Sequence, residues 1–198
     1  MDGSTVEIDK TIGDCEFTDL PLDDGKKFLH VRLKHSELRS KWVRCSKISD
    51  FISRFYSHPN PNFGALDKFQ GYMNVISTVT NELVENAVKF SSGEEGEIEI
   101  NLYSELDQFV LEISNCISAV QYKSFLAFLE TLFDGGGNYE DKYYQRLEEV
   151  YDKPDETSSS VGLLMLLSHF PVRLGYRFFS EDEVIYATAK CILEYQEV

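Results

Sequence analysis

The sequence predicts a single α+β domain over residues 1–198, a two-layer sandwich in which helices cover one face of a mixed, mostly antiparallel sheet. A chain of 198 residues, of which 42% are hydrophobic, is long enough to bury one substantial core. Segments of alternating apolar residues come in pairs joined by short polar turns, which is typical of β-hairpins. Segments with apolar residues at helical spacing lie between those pairs, and this indicates helices stacked on a sheet.

The first half of the chain predicts a polar leader, one or two strands and two helices. Residues 1–13 are polar and acidic, and we expect a flexible leader there. Asp14–Leu22 is a candidate short strand, and Phe28–Leu33 alternates as strands do. Apolar residues recur at helical spacing over Ser36–Tyr56. A proline-containing loop follows, and the longest helix is expected over Ala65–Phe90.

The second half of the chain predicts two hairpins. Glu97–Tyr103 and Phe109–Ile113 alternate strictly and are joined by a short polar turn. Val172–Phe179 and Glu183–Leu193 form the last hairpin. Both pairs support a sheet that is built mainly from antiparallel neighbours.

Three helices are expected between the two hairpins. They cover Ser118–Phe133, Tyr139–Tyr151 and Val161–His169, and a glycine run separates the first from the second. Residues 119–160 therefore form a largely helical insertion within the single domain.

The formal net charge of −15 limits the classes of partner. Nucleic acids and anionic lipid surfaces are bound by surfaces rich in Lys and Arg, so we expect neither nucleic-acid nor membrane binding. The charge fits a soluble protein whose partners are other proteins or metal-bound nucleotides. Acidity that serves solubility alone is the alternative.

The four cysteines Cys15, Cys45, Cys116 and Cys191 are widely spaced, without a C-x-x-C pair. Reduced core thiols are therefore expected in place of a disulfide framework or a metal cluster. The amino terminus does not resemble a signal peptide, and no apolar run approaches the roughly 20 residues of a membrane helix. We expect a cytoplasmic protein.

The carboxyl-terminal end of the longest predicted helix places three polar side chains on one face. At roughly 100° per residue, with Glu82 at zero, Asn86 lies at about +40° and Lys89 at about −20°. The neighbouring arc is apolar, so this flank packs on a core while the polar flank faces a cleft. A solvated helix surface would produce the same spacing and is the alternative.

These residues, with two later segments, resemble the histidine-kinase-like (GHKL) ATPases. The resemblance spans about residues 68 to 192. Within the family, the chain is most similar to the SiaB-like regulators and the anti-sigma-factor serine kinase branch. It rests on Glu82-x-x-x-Asn86-Ala87-x-Lys89-Phe90, on Ser160-Val161-Gly162-Leu163-Leu164 and on Arg173-Leu174-Gly175-Tyr176-Arg177-Phe178. The family implies a Bergerat-type pocket for ATP and Mg²⁺, with residues 119–160 as a helical lid over it.

The resemblance implies a role for each residue of the polar trio. Asn86 would bind Mg²⁺ through its carboxamide oxygen, a hard ligand suited to that ion. Glu82, one turn earlier, would act as the catalytic base toward an attacking hydroxyl. Lys89 would contribute positive charge to the phosphates.

The glycine boxes of the family are matched only in part. Asn115 stands where the family has the Asp that binds adenine, and no glycine follows it. In the second box, Gly162 would let the backbone approach the phosphates at a helix amino terminus. Ser160 and Leu163 beside it are the further nucleotide-binding residues.

Two functions follow from the resemblance. The first is an ATP-binding bacterial regulatory protein, a serine kinase acting on a STAS-type anti-sigma-factor antagonist in a partner-switching pathway. The alternative is a catalytically inactive GHKL-fold scaffold that binds a regulatory partner without phosphoryl transfer, which the altered first glycine box favours. A homodimer is left open in either case.

Overall fold

A computed structural model of the chain describes residues 7–17, 27–57, 66–93, 96–104, 108–134, 138–152 and 159–194. Over these ranges the protein is an α+β structure with one open, six-stranded antiparallel sheet and six helices. The strands are β1 (Asp9–Gly13), β2 (Lys27–Lys34), β3 (Glu97–Ser104), β4 (Gln108–Ile117), β5 (Val172–Glu181) and β6 (Val184–Glu194). The helices are α1 (His35–Arg39), α2 (Val43–Ser57), α3 (Leu66–Phe90), α4 (Ala119–Phe133), α5 (Tyr139–Asp152) and α6 (Ser159–His169). None of the helices in the described ranges is both long and apolar enough to span a bilayer.

The strands lie in the order β1-β5-β6-β4-β3-β2, and each pair of neighbours is antiparallel. Both predicted hairpins are confirmed. The sequence analysis was wrong to expect a mixed sheet, since no parallel pair occurs among the described strands. Strand β4 also runs to Ile117, past the predicted end at Ile113, and so Asn115 lies inside it, paired with Ile98 and Ala187.

The amino-terminal segment differs from the prediction. Residues 9–13, assigned above to a flexible leader, form β1 at the edge of the sheet beside β5, while residues 1–6 lie outside the described residues. Asp9 accepts from the Arg177 guanidinium at 3.1 Å. The strand expected over Asp14–Leu22 is not formed at residues 14–17, and the remainder lies outside the described ranges. Pairing of β1 covers the unpaired backbone groups that β5 would otherwise expose.

The helix predicted over Ser36–Tyr56 is divided into α1 and α2. The break lies at Ser40–Trp42, where the Glu37 carbonyl accepts from the Ser40 hydroxyl at 3.4 Å and from the Arg44 guanidinium at 2.9 Å. These side-chain donors bond a carbonyl that would accept a backbone hydrogen bond in a continuous helix, and this favours an interruption of the helix.

The main core lies between the helices and one face of the sheet. Helix α3 contributes the largest helical share, with buried side chains at Ile76, Val79, Leu83, Val84, Ala87 and Val88. Alternate residues of β4 enter this core, whereas Val110 joins a small cluster with Cys15 and Ile192 on the opposite face. A well-buried ion pair between Glu112 and Lys190, 3.1 Å apart, also lies on that face.

Several polar contacts fix the end of α3 against the sheet. The buried ring of His35 lies between two carbonyl oxygens, with Nδ1 3.0 Å from Gly93 and Nε2 2.9 Å from Val88. The Ser91 hydroxyl donates to the Ala87 carbonyl at 2.7 Å. The Ser92 amide donates to Cys116 of β4. The last turns of α3, which carry the predicted site, are therefore tied to α1 and β4.

Candidate functional site

A cavity of about 560 Å³ lies between the end of α3 and helices α4, α5 and α6. We call it the main cavity. Its volume lies within the range of small-molecule sites. It is lined by Asn86, Phe90, Ile117, Gln121, Ser124, Phe125, Phe128, Thr131, Leu132, Lys142, Gln145, Arg146, Glu149, Leu163 and Leu164. Two of the predicted site residues, Asn86 and Leu163, are therefore in its wall.

Asn86 is the polar group of α3 in this wall. Its Nδ2 atom is buried and has no hydrogen-bond partner among the described residues. A buried polar group left unpaired costs about 1–3 kcal/mol. The unpaired amide is therefore expected to be satisfied by something that enters the cavity.

Three phenylalanine rings form an aromatic row in the cavity wall with Asn86. The rings of Phe90 and Phe125 are stacked with centroids 5.8 Å apart, and those of Phe125 and Phe128 are stacked at 6.3 Å. Parallel rings present aromatic faces on which a planar ligand can stack.

The α5 side of the cavity carries two cations. The Lys142 ammonium donates to the carbonyls of Leu132 at 2.9 Å and Asp134 at 3.0 Å, so it caps the carboxyl end of α4. Arg146 donates to the Glu149 carboxylate at 2.7 Å. Because Glu149 also lines the cavity, this side carries one net positive charge beside a wall that is mainly apolar.

A second, much smaller chamber of about 20 Å³ lies deeper, at the sheet. Asn115 and Tyr176 line it, and the residues that line both this chamber and the main cavity are Asn86, Phe90, Ile117 and Phe125. The Tyr176 hydroxyl is buried without a described partner, and burial raises its pKa well above the ordinary value. An aromatic ring requires a cavity on the order of 150 Å³, so a nucleobase does not fit beside Asn115 in this conformation.

Glu82 faces a different space. Its carboxylate lies against Gly162 in the first turn of α6, where a methyl group on Gly162 would overlap it. It lines a polar cavity of about 300 Å³, the side cavity, together with Ser46, Ser49, Asp50, Ser77, Thr78, Asn81 and Glu85. Burial, and then the charge of Glu85, raises the pKa of the Glu82 carboxyl above its ordinary value. A base with a raised pKa accepts a proton more readily.

The remaining predicted residues are dispersed. Lys89 is exposed, with its ammonium 5.5 Å from the centroid of the Phe90 ring, and it is not among the residues that line the main cavity. Ser160 lies in the first turn of α6, and its side chain is outside the described part of the structure. The structure therefore brings Asn86 together with Leu163 at the main cavity and with Asn115 at the inner chamber, and it places Glu82 against Gly162, but it does not join the whole predicted set.

The sequence analysis did not identify Phe125, Lys142 or Arg146 as cavity residues. Phe125 lies at helical spacing with other aromatics of α4, a pattern that packing residues also produce. Lys142 and Arg146 are four residues apart on α5, so they share a helix face. That shared face could have been recognised from the sequence, but the spacing does not indicate which part of the structure the face packs against.

The described residues contain no group of three or more His, Cys, Asp or Glu side chains that could hold a metal ion. A bound Mg²⁺ would therefore depend on the oxygens of its ligand, with Asn86 as the protein contribution. No protein-family model matches the chain, and no curated protein shows significant similarity to it. The resemblance to the GHKL ATPases stays a prediction.

Proposed function

We propose that this chain is an ATP-binding regulatory protein of the GHKL type, with the nucleotide in the main cavity. The observation that carries the proposal is the buried, unpaired amide of Asn86 in the wall of a cavity of ligand size. The stacked rings of Phe90, Phe125 and Phe128 offer a surface for the base. The Asn86 oxygen is a suitable ligand for the Mg²⁺ that accompanies the phosphates.

The proposed reaction is transfer of the γ-phosphoryl group to a serine of a STAS-type partner. The serine oxygen bonds to the γ-phosphorus, the bond to the β-phosphate oxygen breaks, and ADP leaves. Glu82 takes the proton of the hydroxyl, which its raised pKa favours. Because Gly162 lies between Glu82 and the main cavity, this step requires the amino end of α6 to move away from Glu82.

Calorimetry with ATP and Mg²⁺ tests nucleotide binding. We expect measurable heat for the wild-type chain and an affinity reduced at least about tenfold in Asn86→Ala. Asn81→Ala is the matched control, because Asn81 lies on the same helix but lines the side cavity. The absence of both heat and thermal shift at millimolar nucleotide would remove the proposal.

A second function, a scaffold that binds its partner without phosphoryl transfer, is favoured by two observations. The chamber beside Asn115 is too small for a base, and Glu82 is held against Gly162. Labelled ATP and a STAS-domain protein from the same genome separate the two functions. Transfer of label that is lost in Glu82→Ala supports the kinase. A complex that forms without nucleotide and is unchanged in Glu82→Ala supports the scaffold.

A further inference from the structure

Helix α2 has two apolar flanks, of which only one is buried. Cys45, Ile52 and Tyr56 face the core. On the opposite flank, large apolar side chains face solvent. The exposed fractions are 45% for Trp42, 65% for Val43, 53% for Phe51 and 53% for Phe55. We call these four residues the α2 stripe.

Three residues of the α2 stripe lie along one ridge of the helix, and Trp42 immediately precedes its first turn. Val43, Phe51 and Phe55 are spaced by multiples of four residues and therefore follow one ridge of the helix. The rings of Phe51 and Phe55 are 5.8 Å apart, and Phe55 also packs edge-on against Tyr56 at 5.2 Å. Isolated exposed apolar residues are ordinary, but a row of neighbouring aromatic side chains is typical of an interaction site.

The charge around the α2 stripe is opposite to that of the protein. Residues 35–57 contain five Lys or Arg and two Asp or Glu, in a chain whose net charge is −15. Lys47 lies within the row and Arg44 and Arg54 lie beside it. Arg44 donates to a backbone carbonyl, and no ion pair reaches Lys47 or Arg54 from the residues that the structure describes. These cations are available to a partner.

We propose that the α2 stripe is a docking surface for an acidic amphipathic segment of another protein, with apolar side chains on one face and carboxylates beside them. The aromatic row would take the apolar side chains, and Arg44, Lys47 and Arg54 would pair with the carboxylates. Two-fold pairing of the stripe with a second copy would bring like charges together. An anionic membrane is disfavoured because the rest of the protein is strongly acidic.

The probe is a fluorescein-labelled helical peptide of about 18 residues with leucines at i, i+4 spacing and glutamates beside them. Fluorescence anisotropy compares it with the same peptide carrying lysines in place of the glutamates. We expect saturable binding of the acidic peptide that weakens with salt, and binding of the lysine peptide at least about tenfold weaker. No binding of the acidic peptide, or equal binding of both, overturns the proposal.

Three variants locate the binding. Phe51→Ser combined with Phe55→Ser should reduce affinity at least about tenfold. Lys47→Glu should weaken binding and reduce its salt dependence. Tyr151→Ser is the matched control, because Tyr151 is an aromatic residue of α5 that is 87% exposed, and it should bind as the wild type does. Peptide binding that the double variant leaves unchanged overturns the proposal.

Two further measurements distinguish other occupants. A dimer in sedimentation that the double variant dissociates would mean that the stripe joins two copies and that the proposal is wrong. If the wild type cosediments with phosphatidylserine vesicles and the double variant does not, the stripe binds a membrane, and this result would also overturn the proposal. A monomeric protein that does not bind the vesicles but binds the acidic peptide supports the proposal.

Discussion

Asn86 and Glu82 lie one turn apart on α3 but border spaces of opposite character. Asn86 faces the main cavity, about 560 Å³ in volume, whose wall is mainly aromatic and aliphatic surface with polar and charged side chains from α4 and α5. Glu82 faces the side cavity, about 300 Å³ in volume and lined by carboxylates, hydroxyls and an amide. One helix flank is thus divided between an apolar and a polar environment.

The difference arises from the elements that pack on α3. Helices α4 and α6 bring aromatic and aliphatic residues to the cavity beside Asn86, and α5 adds polar and charged side chains at its far side. Helix α2 brings Ser46, Ser49 and Asp50 to the cavity beside Glu82. The first turn of α6 separates the two spaces, because Gly162 lies against the Glu82 carboxylate. The proposed catalysis by Glu82 would require the two spaces to join, so the position of this turn bears on which of the two proposed functions the protein could perform.

Removal of the Phe125 ring should have the largest effect on the main cavity. Phe125 stacks between Phe90 and Phe128 and packs edge-on against Tyr176 at 5.0 Å. We expect Phe125→Ala to lower the free energy of unfolding by about 2–3 kcal/mol, because the side chain is only partly buried. The variant should also join the inner chamber to the main cavity. An adenine that then reaches Asn115 should gain more affinity from burial and hydrogen bonding there than it loses with the Phe125 ring.

Urea unfolding and an adenine titration measure these two effects. Phe128→Ala is the control, because Phe128 lines the main cavity but not the inner chamber. We expect it to destabilise the protein without an increase in adenine affinity. Equal adenine affinities in the two variants would show that Phe125 does not close the chamber.

Glu82→Gln should have a smaller, pH-dependent effect on the side cavity. Burial and the charge of Glu85 raise the pKa of Glu82 in the folded protein above its ordinary value of 4.5. The folded state therefore binds the proton more tightly, and this contribution to stability is lost as the pH rises through the raised pKa. The neutral glutamine should stabilise the protein at pH 7 by less than about 1 kcal/mol, because solvent screens a partly exposed carboxylate.

Urea unfolding of wild type and Glu82→Gln across the acidic range checks the sign. The stability gained by Glu82→Gln should decrease as the pH falls and should vanish below 4.5, the ordinary pKa of the carboxyl group. Glu37→Gln, at an exposed position of α1, is the control and should show no such trend. A gain that is independent of pH would mean that the glutamine acts through new hydrogen bonds.

Most of the elements were predictable because their patterns are local. The alternation of Glu97–Tyr103 and the periodicity of Ala65–Phe90 depend on residues close in sequence, and both elements formed as expected. Strand β1 was not predictable, because residues 9–13 alternate weakly and depend on β5, far along the chain, for pairing. Trp42, Val43, Phe51 and Phe55 fit a helical core pattern, yet the core is filled from the other flank of α2.

The candidate site was predictable only as a helix face. The spacing of Glu82, Asn86 and Lys89 placed them on one arc, and it was correct that Asn86 would border a cleft. What separates Glu82 from that cleft is Gly162, about 80 residues later in the sequence. The spacing of residues along α3 carries no information about that contact. Lys89 is exposed because nothing in the described ranges packs over the last turn at that point.

Gly162→Ala should change stability little while it alters the boundary between the cavities. The added methyl group would meet the end of the flexible Glu82 side chain, which can rotate away. The better helix propensity of alanine, about 1 kcal/mol over glycine, offsets that displacement. We expect a net change within about 0.5 kcal/mol.

A double-mutant cycle in urea at pH 7 tests the displacement. In the Gly162→Ala background, Glu82→Gln should stabilise the protein less than it does in the wild type, because the carboxylate would already have reached solvent. Additive effects would mean that Glu82 remains where it is and that the turn of α6 moves instead.

Cysteine alkylation gives the smallest effect and compares a thiol on the sheet face away from α3 with a thiol of α2 in the main core. Cys116, next to Asn115 at the end of β4, is only half-buried, and its thiol donates to the Ser92 carbonyl at 3.1 Å. Cys45 is fully buried on α2, and burial followed by the charge of Glu85 raises its pKa. Since the thiolate is the reactive form, iodoacetamide should modify Cys116 first in the native protein and Cys45 only on unfolding. Mass spectrometry of the peptides, with Cys116→Ser as the control, follows both. Early modification of Cys45 would show that the packing of α2 on the core, beside the side cavity, opens in the native protein.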